Sequence, residues 1–326
     1  MARRNPRVGR RAFLKSAGAT LLLPATAGIT YASGNREAAK LGYCGNEEPG
    51  RPHVLPFHYR ALKRLLRLAG LYDRGFRNYL EISLREEHHY LASWPAKLAG
   101  YRILQVSDPH IDLDPAFLPR LCQRVQGVEA ELVVFTGDFW EGTHTSFSQS
   151  LAGMERILEA IPPPPDGCYG ILGNHDACAL GAGLEARGIP ILVNEARIVG
   201  KGPAAFALAG VDDPFYFKLH DIGAAAAQCP AGLPSILLCH SPQHIRQAEQ
   251  AGFNFMLCGH THGGQICWPN GWPLVSIDGI PGDVFRGRWQ YGRMKGYTSH
   301  GAGACHVPVR FNCPAEVVRH HFHAAR

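Results

Sequence analysis

Two histidines, His260 and His262, follow a short apolar run (253–257) in the series Cys258-Gly259-His260-Thr261-His262-Gly263-Gly264-Gln265. Side chains alternate on an extended backbone, so an i, i+2 pair points to one side. Neutral imidazole is the commonest protein metal ligand, and the flanking glycines leave room for a turn and a close approach. Four earlier apolar runs end in the same manner: 102–107 leads into Asp108-Pro109-His110, and 131–136 into Gly137-Asp138. Then 168–172 leads into Gly173-Asn174-His175-Asp176, and 235–239 into His240-Ser241-Pro242. Ligands of open α/β sheets bind outside the carboxyl ends of the strands. That edge would carry Asp108, His110, Asp138, Asn174, His240, His260 and His262. Such a set is oxygen and nitrogen only, too large for one tetrahedral zinc and suited to a pair of ions. Singly, each residue has a plain structural reading: an Asp after a strand is usually a helix N-cap, Asn174 a turn residue, a lone His a hydrogen-bonded one. Their joint recurrence at successive strand ends indicates a metal site.

The elements that must hold these residues follow from pattern and punctuation. Helices are expected at 115–128, 147–161, 176–188 and 242–251, the second ended by Pro162 to Pro165. Further strands are expected at 190–194 and 204–211. Strands alternating with helices give an α/β class, and about 230 residues is an acceptable single domain. Upstream, 57–73 reads as an amphipathic helix with Leu62, Leu65, Leu66 and Ala69 on one face and Arg60, Lys63, Arg64 and Arg67 on the other. A basic helix of this kind lies on an anionic lipid surface or caps a domain with its charges in water. Residues 78–90 read as an extended element leading into the domain that follows.

The ordered series D-x-H, G-D, G-N-H-D, a single H and G-H-x-H resembles the calcineurin-like metallophosphoesterases, over residues 98–326. The G-H-T-H-G-G-Q form, Asp212-Asp213, and the tail Pro308-Val309-Arg310-Phe311-Asn312-Cys313-Pro314 are similar to a narrower branch. That branch holds exported bacterial phosphodiesterases and membrane-associated UDP-2,3-diacylglucosamine pyrophosphatases. The resemblance implies a four-layer α/β/β/α sandwich of two mixed sheets and two divalent ions, Mn favoured over Fe or Zn. It places Asp108, His110, Asp138 and His262 on one ion and Asp138, Asn174, His240 and His260 on the other, so that Asp138 bridges. His175 would be the proton donor to the leaving group, with Asp176 orienting its ring. The implied reaction is hydrolysis of a phosphodiester or pyrophosphate bond by a metal-bridging hydroxide. A lipid-linked, UDP-2,3-diacylglucosamine-type substrate is the alternative. From another class stands a non-catalytic envelope-binding protein with structural metals, but such a site needs no proton donor and no open position.

Residues 1–27 read as an address. Gly9-Arg10-Arg11-Ala12-Phe13-Leu14-Lys15 resembles a twin-arginine export signal, followed by an apolar stretch (17–23) and a small-x-small site, Ala25-Thr26-Ala27. The implied partner is the twin-arginine translocase, and the destination the periplasm or the outer face of the cytoplasmic membrane. The signal takes six of the 33 Lys and Arg and no acid, leaving 27 basic residues against 27 acidic. A neutral mature chain disfavours a nucleic-acid partner that is held through phosphates. Residues 28–97 comprise a linker, the basic helix and an N-terminal strand; residues 98–326 form the catalytic domain.

Ten cysteines occur without a C-x-x-C pair. Export after folding in a reducing cytoplasm favours free thiols, with Cys239 and Cys258 as core residues and a late Cys305–Cys313 bridge conceivable. Trp268, Trp272, Trp289, Phe285 and Arg286 either line a cleft or pack, and packing is favoured. His144, His220, His244, His320, His321 and His323 lack motif partners and read as surface or structural.

Overall fold

A computed structural model of the chain describes residues 57–142, 146–274 and 279–325. The expected export signal, the linker up to residue 56 and His144 lie outside these. In chain order the elements are α1 (Phe57–Leu68), α2 (Tyr72–Leu80), β1 (Ile82–Leu91), β2 (Tyr101–Val106), α3 (Phe117–Val125) and β3 (Leu132–Phe135). Next come α4 (Ser148–Ala160), β4 (Cys168–Gly170), α5 (Cys178–Glu185), β5 (Glu195–Lys201), β6 (Ala204–Gly210) and α6 (Ile222–Ala226). The last are β7 (Ser235–Leu238), α7 (Ile245–Gln250), β8 (Phe255–Cys258), β9 (Gly287–Tyr291), β10 (Met294–Thr298) and β11 (Ala315–Ala324).

The strands form two mixed sheets, ordered β1-β11-β2-β3-β4 and β5-β6-β7-β8-β10-β9. The internal strands β3, β6 and β8 are apolar throughout because both faces are covered. In β2 and β3, Ile103, Leu132 and Val134 face the second sheet, meeting Ile236, Leu238, Phe255 and Leu257 of β7 and β8. The alternate residues Leu104, Val106, Val133 and Phe135 face Phe117, Leu121, Met154, Ile157 and Leu180 of α3, α4 and α5. On the far side Leu237 and Met256 meet Ile222, Ala225, Ile245 and Ala248 of α6 and α7. Helix, sheet, sheet, helix: the four layers follow from this period-two division of each strand.

Local expectations differ in three places. Residues 190–194 contribute one bridge, Ile191 to Gly170, rather than a strand. The strand is β5, an edge pairing only with β6; its Glu195, Arg197 and Lys201 suit an edge and hide it from a search for apolar runs. The helix expected at 57–73 stops at Gly70, whose φ of +67° ends it, and α2 then takes residues 78–80. After α2, β1 runs parallel to β11 over all ten residues, as an edge strand of the first sheet. Cys178 is disulfide-bonded, against the expectation of free thiols, a pairing that no spacing in the sequence marks. Cys305 and Cys313 are free. Among the described residues no helix is long and apolar enough to cross a membrane.

Candidate active site

β2, β3, β7 and β8 run parallel to one another within their sheets, so the loops after them open on one edge. Asp108, His110, Asp138 and His262 bring donor atoms within 4.8 Å of one another, and so do Asp138, His240 and His260. Asn174 joins the second group, its Oδ1 3.1 Å from His240 Nε2. All seven residues named from the sequence thus converge, and Asp138 belongs to both groups. Holding them there strains the chain. Asp108, His110, Asp138, His260 and His262 all have φ between +41° and +70°, a region that non-glycine residues seldom enter and that concentrates at functional sites. Gly173 and Gly259 permit the crowding: a Cβ at the first would strike the Asp138 carboxylate, and at the second the Asp108 carboxylate and Ser107 hydroxyl.

The donors fit a pair of cations. His260 Nε2 is buried without a hydrogen-bond partner among the described residues. The Nε2 atoms of His110 and His262 face each other at 3.2 Å. His240 Nε2 lies 3.2 Å from Asp138 Oδ2. Converging lone pairs at these separations suit a dication that takes several nitrogen and oxygen donors. Burial pushes His260 down to about 3, with protonated His240 adding to it, so this ring stays neutral as a ligand must. Burial, with His110 and Arg310 beside it, likewise holds His262 well below its usual range. Burial opposes charge on His240 and His110 too, but Asp138 draws the first up to about 10 and Glu141 the second to about 9. Asp138, despite its burial, is held well below the carboxylate range by His240 and His175. Cations would displace those imidazole protons.

Asp176 engages the main chain. Its two oxygens accept the backbone N–H groups of Asp138 and Gly173 and of Phe139 and Trp140, at 2.7–3.2 Å. It therefore fixes the turn that carries Asp138. The His175 ring is held elsewhere, Nδ1 3.2 Å from the Glu141 carbonyl and Nε2 3.7 Å from Cys305 Sγ. A carboxylate three residues after a glycine in a tight turn reaches backbone N–H groups more readily than a ring already turned outward.

Glu141 is the residue the sequence reading missed. Its Oε2 lies 2.9 Å from His110 Nδ1, and its Oε1 2.8 Å from His306 Nδ1. A ligand histidine that gives its second nitrogen to a carboxylate is fixed in ring orientation and made more basic. An acid three residues after G-D was the only signal available. Glu141→Gln is expected to weaken metal binding by about 10–100-fold, read by metal titration of the purified protein. Unchanged affinity would assign Glu141 to folding alone.

Deeper in, a buried chain of hydrogen bonds steadies Asp108. Gln105 Nε2 donates to Thr136 Oγ1, Thr136 to Ser107 Oγ and Ser107 to the Asp108 carboxylate. His320 Nε2 lies 3.0 Å from Gln105 Oε1, and His89 closes the chain behind it. His320 is therefore structural, as are His220 and His244, whose rings touch at a tilt of 41°; His321 and His323 meet His88 on the outer face. Arg310, fully buried, donates to the carbonyls of His262, His300, Gly301 and Gly303 and so ties the final loops to a ligand.

The donors open into a cavity of about 340 Å³ whose walls include Asp138, Asn174, His175, His260 and His262, then Tyr59 and Leu62 of α1, Phe215, Ile266 and Leu274. Asp213 accepts the N–H groups of Phe215, Tyr216 and Phe217 and so presses the Phe215 ring on His260, centroids 4.2 Å apart. Trp289 and Phe285 are packed and buried. Trp268 and Trp272 are 57% and 70% exposed.

A family model described as calcineurin-like phosphoesterase matches residues 101–264. The uncharacterized metallophosphoesterase YkuE of Bacillus subtilis is 28% identical over 256 residues, covering 74% of this chain and 87% of that one. The phosphodiesterase YaeI of Escherichia coli is 27% identical over 267 residues, covering 74% and 90%. The UDP-2,3-diacylglucosamine pyrophosphatase LpxG of Chlamydia muridarum is 25% identical over 285 residues, covering 68% and 83%. With the strand-end donors, their order along the chain and the matched segment in agreement, the protein belongs to the calcineurin-like phosphoesterases and is a metal-binding hydrolase.

Proposed function

We propose that the protein hydrolyses a phosphodiester or pyrophosphate bond with two divalent cations, manganese favoured, held by the two donor groups that share Asp138. One observation carries the reading: two groups of buried donors joined through a single carboxylate, opening on a cavity that also exposes His175. Asp108, His110, Asp138 and His262 would hold one ion, and Asp138, Asn174, His240 and His260 the other. When bound, such a pair supplies a water of lowered pKa and neutralises charge on the phosphoryl oxygens. Asp138 offers an oxygen to each side, and Asn174 adds an oxygen without adding charge. His175 Nε2 faces the cavity and would give its proton to the departing oxygen. Activity of the manganese-loaded protein on mono-, di- and pyrophosphate esters tests the reading. Turnover of diesters or pyrophosphates that chelation abolishes is expected; none on any of the three classes would refute it.

For location, the reading is export by the twin-arginine route, with residues 1–27 as the signal. Arg10→Lys with Arg11→Lys is expected to hold the protein in the cytoplasm, measured by cell fractionation; normal export of the double variant would show that the signal was misread.

A second reading, a lipid-linked substrate met at a membrane surface, is favoured by the apolar residues near the cavity mouth. Leu65, Leu68, Trp268, Trp272 and Leu274 are exposed on α1 and on the turn whose neighbours line the cavity, and α1 bears Arg60, Lys63, Arg64 and Arg67 with no acid. Apolar and basic groups together suit an anionic bilayer. The mature protein is then expected to sediment with phosphatidylglycerol vesicles at low salt and to be released by high salt. No sedimentation would leave a soluble substrate.

A further inference from the structure

We propose that Cys305, His306, Glu141 and His175 form a third cation site at the lip of the cavity, one that takes a thiophilic ion of the zinc class. Ligand atoms of Glu141, Cys305 and His306 lie within 4.8 Å of one another. Cys305 Sγ is 3.9 Å from Glu141 Oε1 and 3.7 Å from His175 Nε2, and Glu141 Oε1 is 2.8 Å from His306 Nδ1. Bonds of about 2.0 Å to nitrogen or oxygen and 2.3 Å to sulfur at tetrahedral angles set donors roughly 3.3–3.6 Å apart. These three separations lie within about half an ångström of that range.

Three features set this site apart from the buried pair. It contains sulfur, which selects zinc-class ions over manganese or magnesium; the seven inner donors are nitrogen and oxygen, although Cys305 Sγ also comes within 4.8 Å of the His110 and His262 ring nitrogens. Glu141 has an oxygen for each task, Oε2 toward His110 and Oε1 toward the lip. His306 takes a left-handed φ of +63°, the conformation in which its own N–H and its ring both reach Glu141 Oε1. The Tyr59 ring of α1 covers the imidazole, centroids 4.2 Å apart. Cys305 is only partly buried and lines the cavity, so an ion reaches it from solvent. Binding there displaces the thiol proton and occupies His175 Nε2. If His175 is the proton donor, as argued above, the ion is an inhibitor; the binding itself does not depend on that reading.

Cobalt(II) added to the metal-free protein tests the site, because a thiolate bound to cobalt gives an intense near-ultraviolet charge-transfer band; a band that His306→Gln leaves unchanged would assign the thiolate to an ion beside His110 and His262 instead and overturn the site. The expected result is that band in the wild type, its loss in Cys305→Ser, and a cobalt affinity at least about tenfold weaker at the sulfur site in His306→Gln. No band in the wild type, or one that survives Cys305→Ser, would overturn the site. On the manganese-loaded protein, excess zinc is expected to lower turnover by about tenfold or more in the wild type and far less in Cys305→Ser, each relative to its own zinc-free rate. A cobalt band without zinc inhibition would remove His175 from the donor set if His175→Ala has lost the leaving-group-dependent turnover of an acid, and from the acid role if it has not. The band is read without substrate, so its failure and a failure of phosphoester hydrolysis are separate results.

Discussion

Asp138→Ala is expected to leave a folded protein that holds neither ion tightly and turns over substrate at least about 10³-fold more slowly, since the charge stabilisation a cation gives is worth several kcal/mol. The expectation follows from position. Asp138 belongs to both donor groups, its Oδ1 accepts the His175 N–H at 2.9 Å, and its Oδ2 lies within 3.5 Å of both His110 and His240. Without the carboxylate, four imidazoles face one another and Asp108 is the one carboxylate left in either donor group. Metal analysis after gel filtration gives the result directly. Retention of two ions per chain would refute the bridging role, and an unfolded variant by circular dichroism would call for Asp138→Asn in its place. Asparagine keeps one oxygen and the local shape while removing the charge.

His175→Ala should separate binding from chemistry. Both ions stay, because the ring is not among the seven donors of the two groups, while turnover falls by about 10²–10⁴-fold, the usual contribution of a positioned acid. The loss should depend on the leaving group. An ester that expels an alkoxide needs the proton and shows the full effect; bis-p-nitrophenyl phosphate expels a stable phenolate and shows less. Equal rates for variant and wild type on both esters would remove the acid role. Equal losses on both would mean that His175 orients substrate instead. The ring is poised for a loss that depends on the leaving group: Nδ1 is engaged by the Glu141 carbonyl, and Nε2 lies beside Cys305 on the cavity wall.

Some of the design was visible in the linear chain for a definite reason. The ligands follow strands, and a strand buried on both faces must be an uninterrupted apolar run, so its end, and any Asp or His placed there, stands out. Asp108, Asp138, His240 and the His260–His262 pair were each read in this way, and the seven converge in space. Edge strands carry no such mark. β5, with Glu195, Arg197 and Lys201, has one hydrogen-bonded neighbour and no need of a continuous apolar face. The early strand β1 pairs with β11, whose residues lie more than two hundred positions away, and nothing local to either states the match.

Residue types and order determined the fold class and the chemistry of the donors, because a metal demands particular atoms and a buried strand demands apolar ones. Tertiary structure alone decided what those groups lean on. Asp176 follows His175 in sequence yet serves the Asp138 turn, and Glu141, unremarkable in the chain, reaches His110 and His306 at once. Cys305 and His306 arrive beside His175 from about 130 positions away. Such contacts depend on how separate loops pack at one sheet edge. That packing is set by the whole sandwich, and no local spacing encodes it.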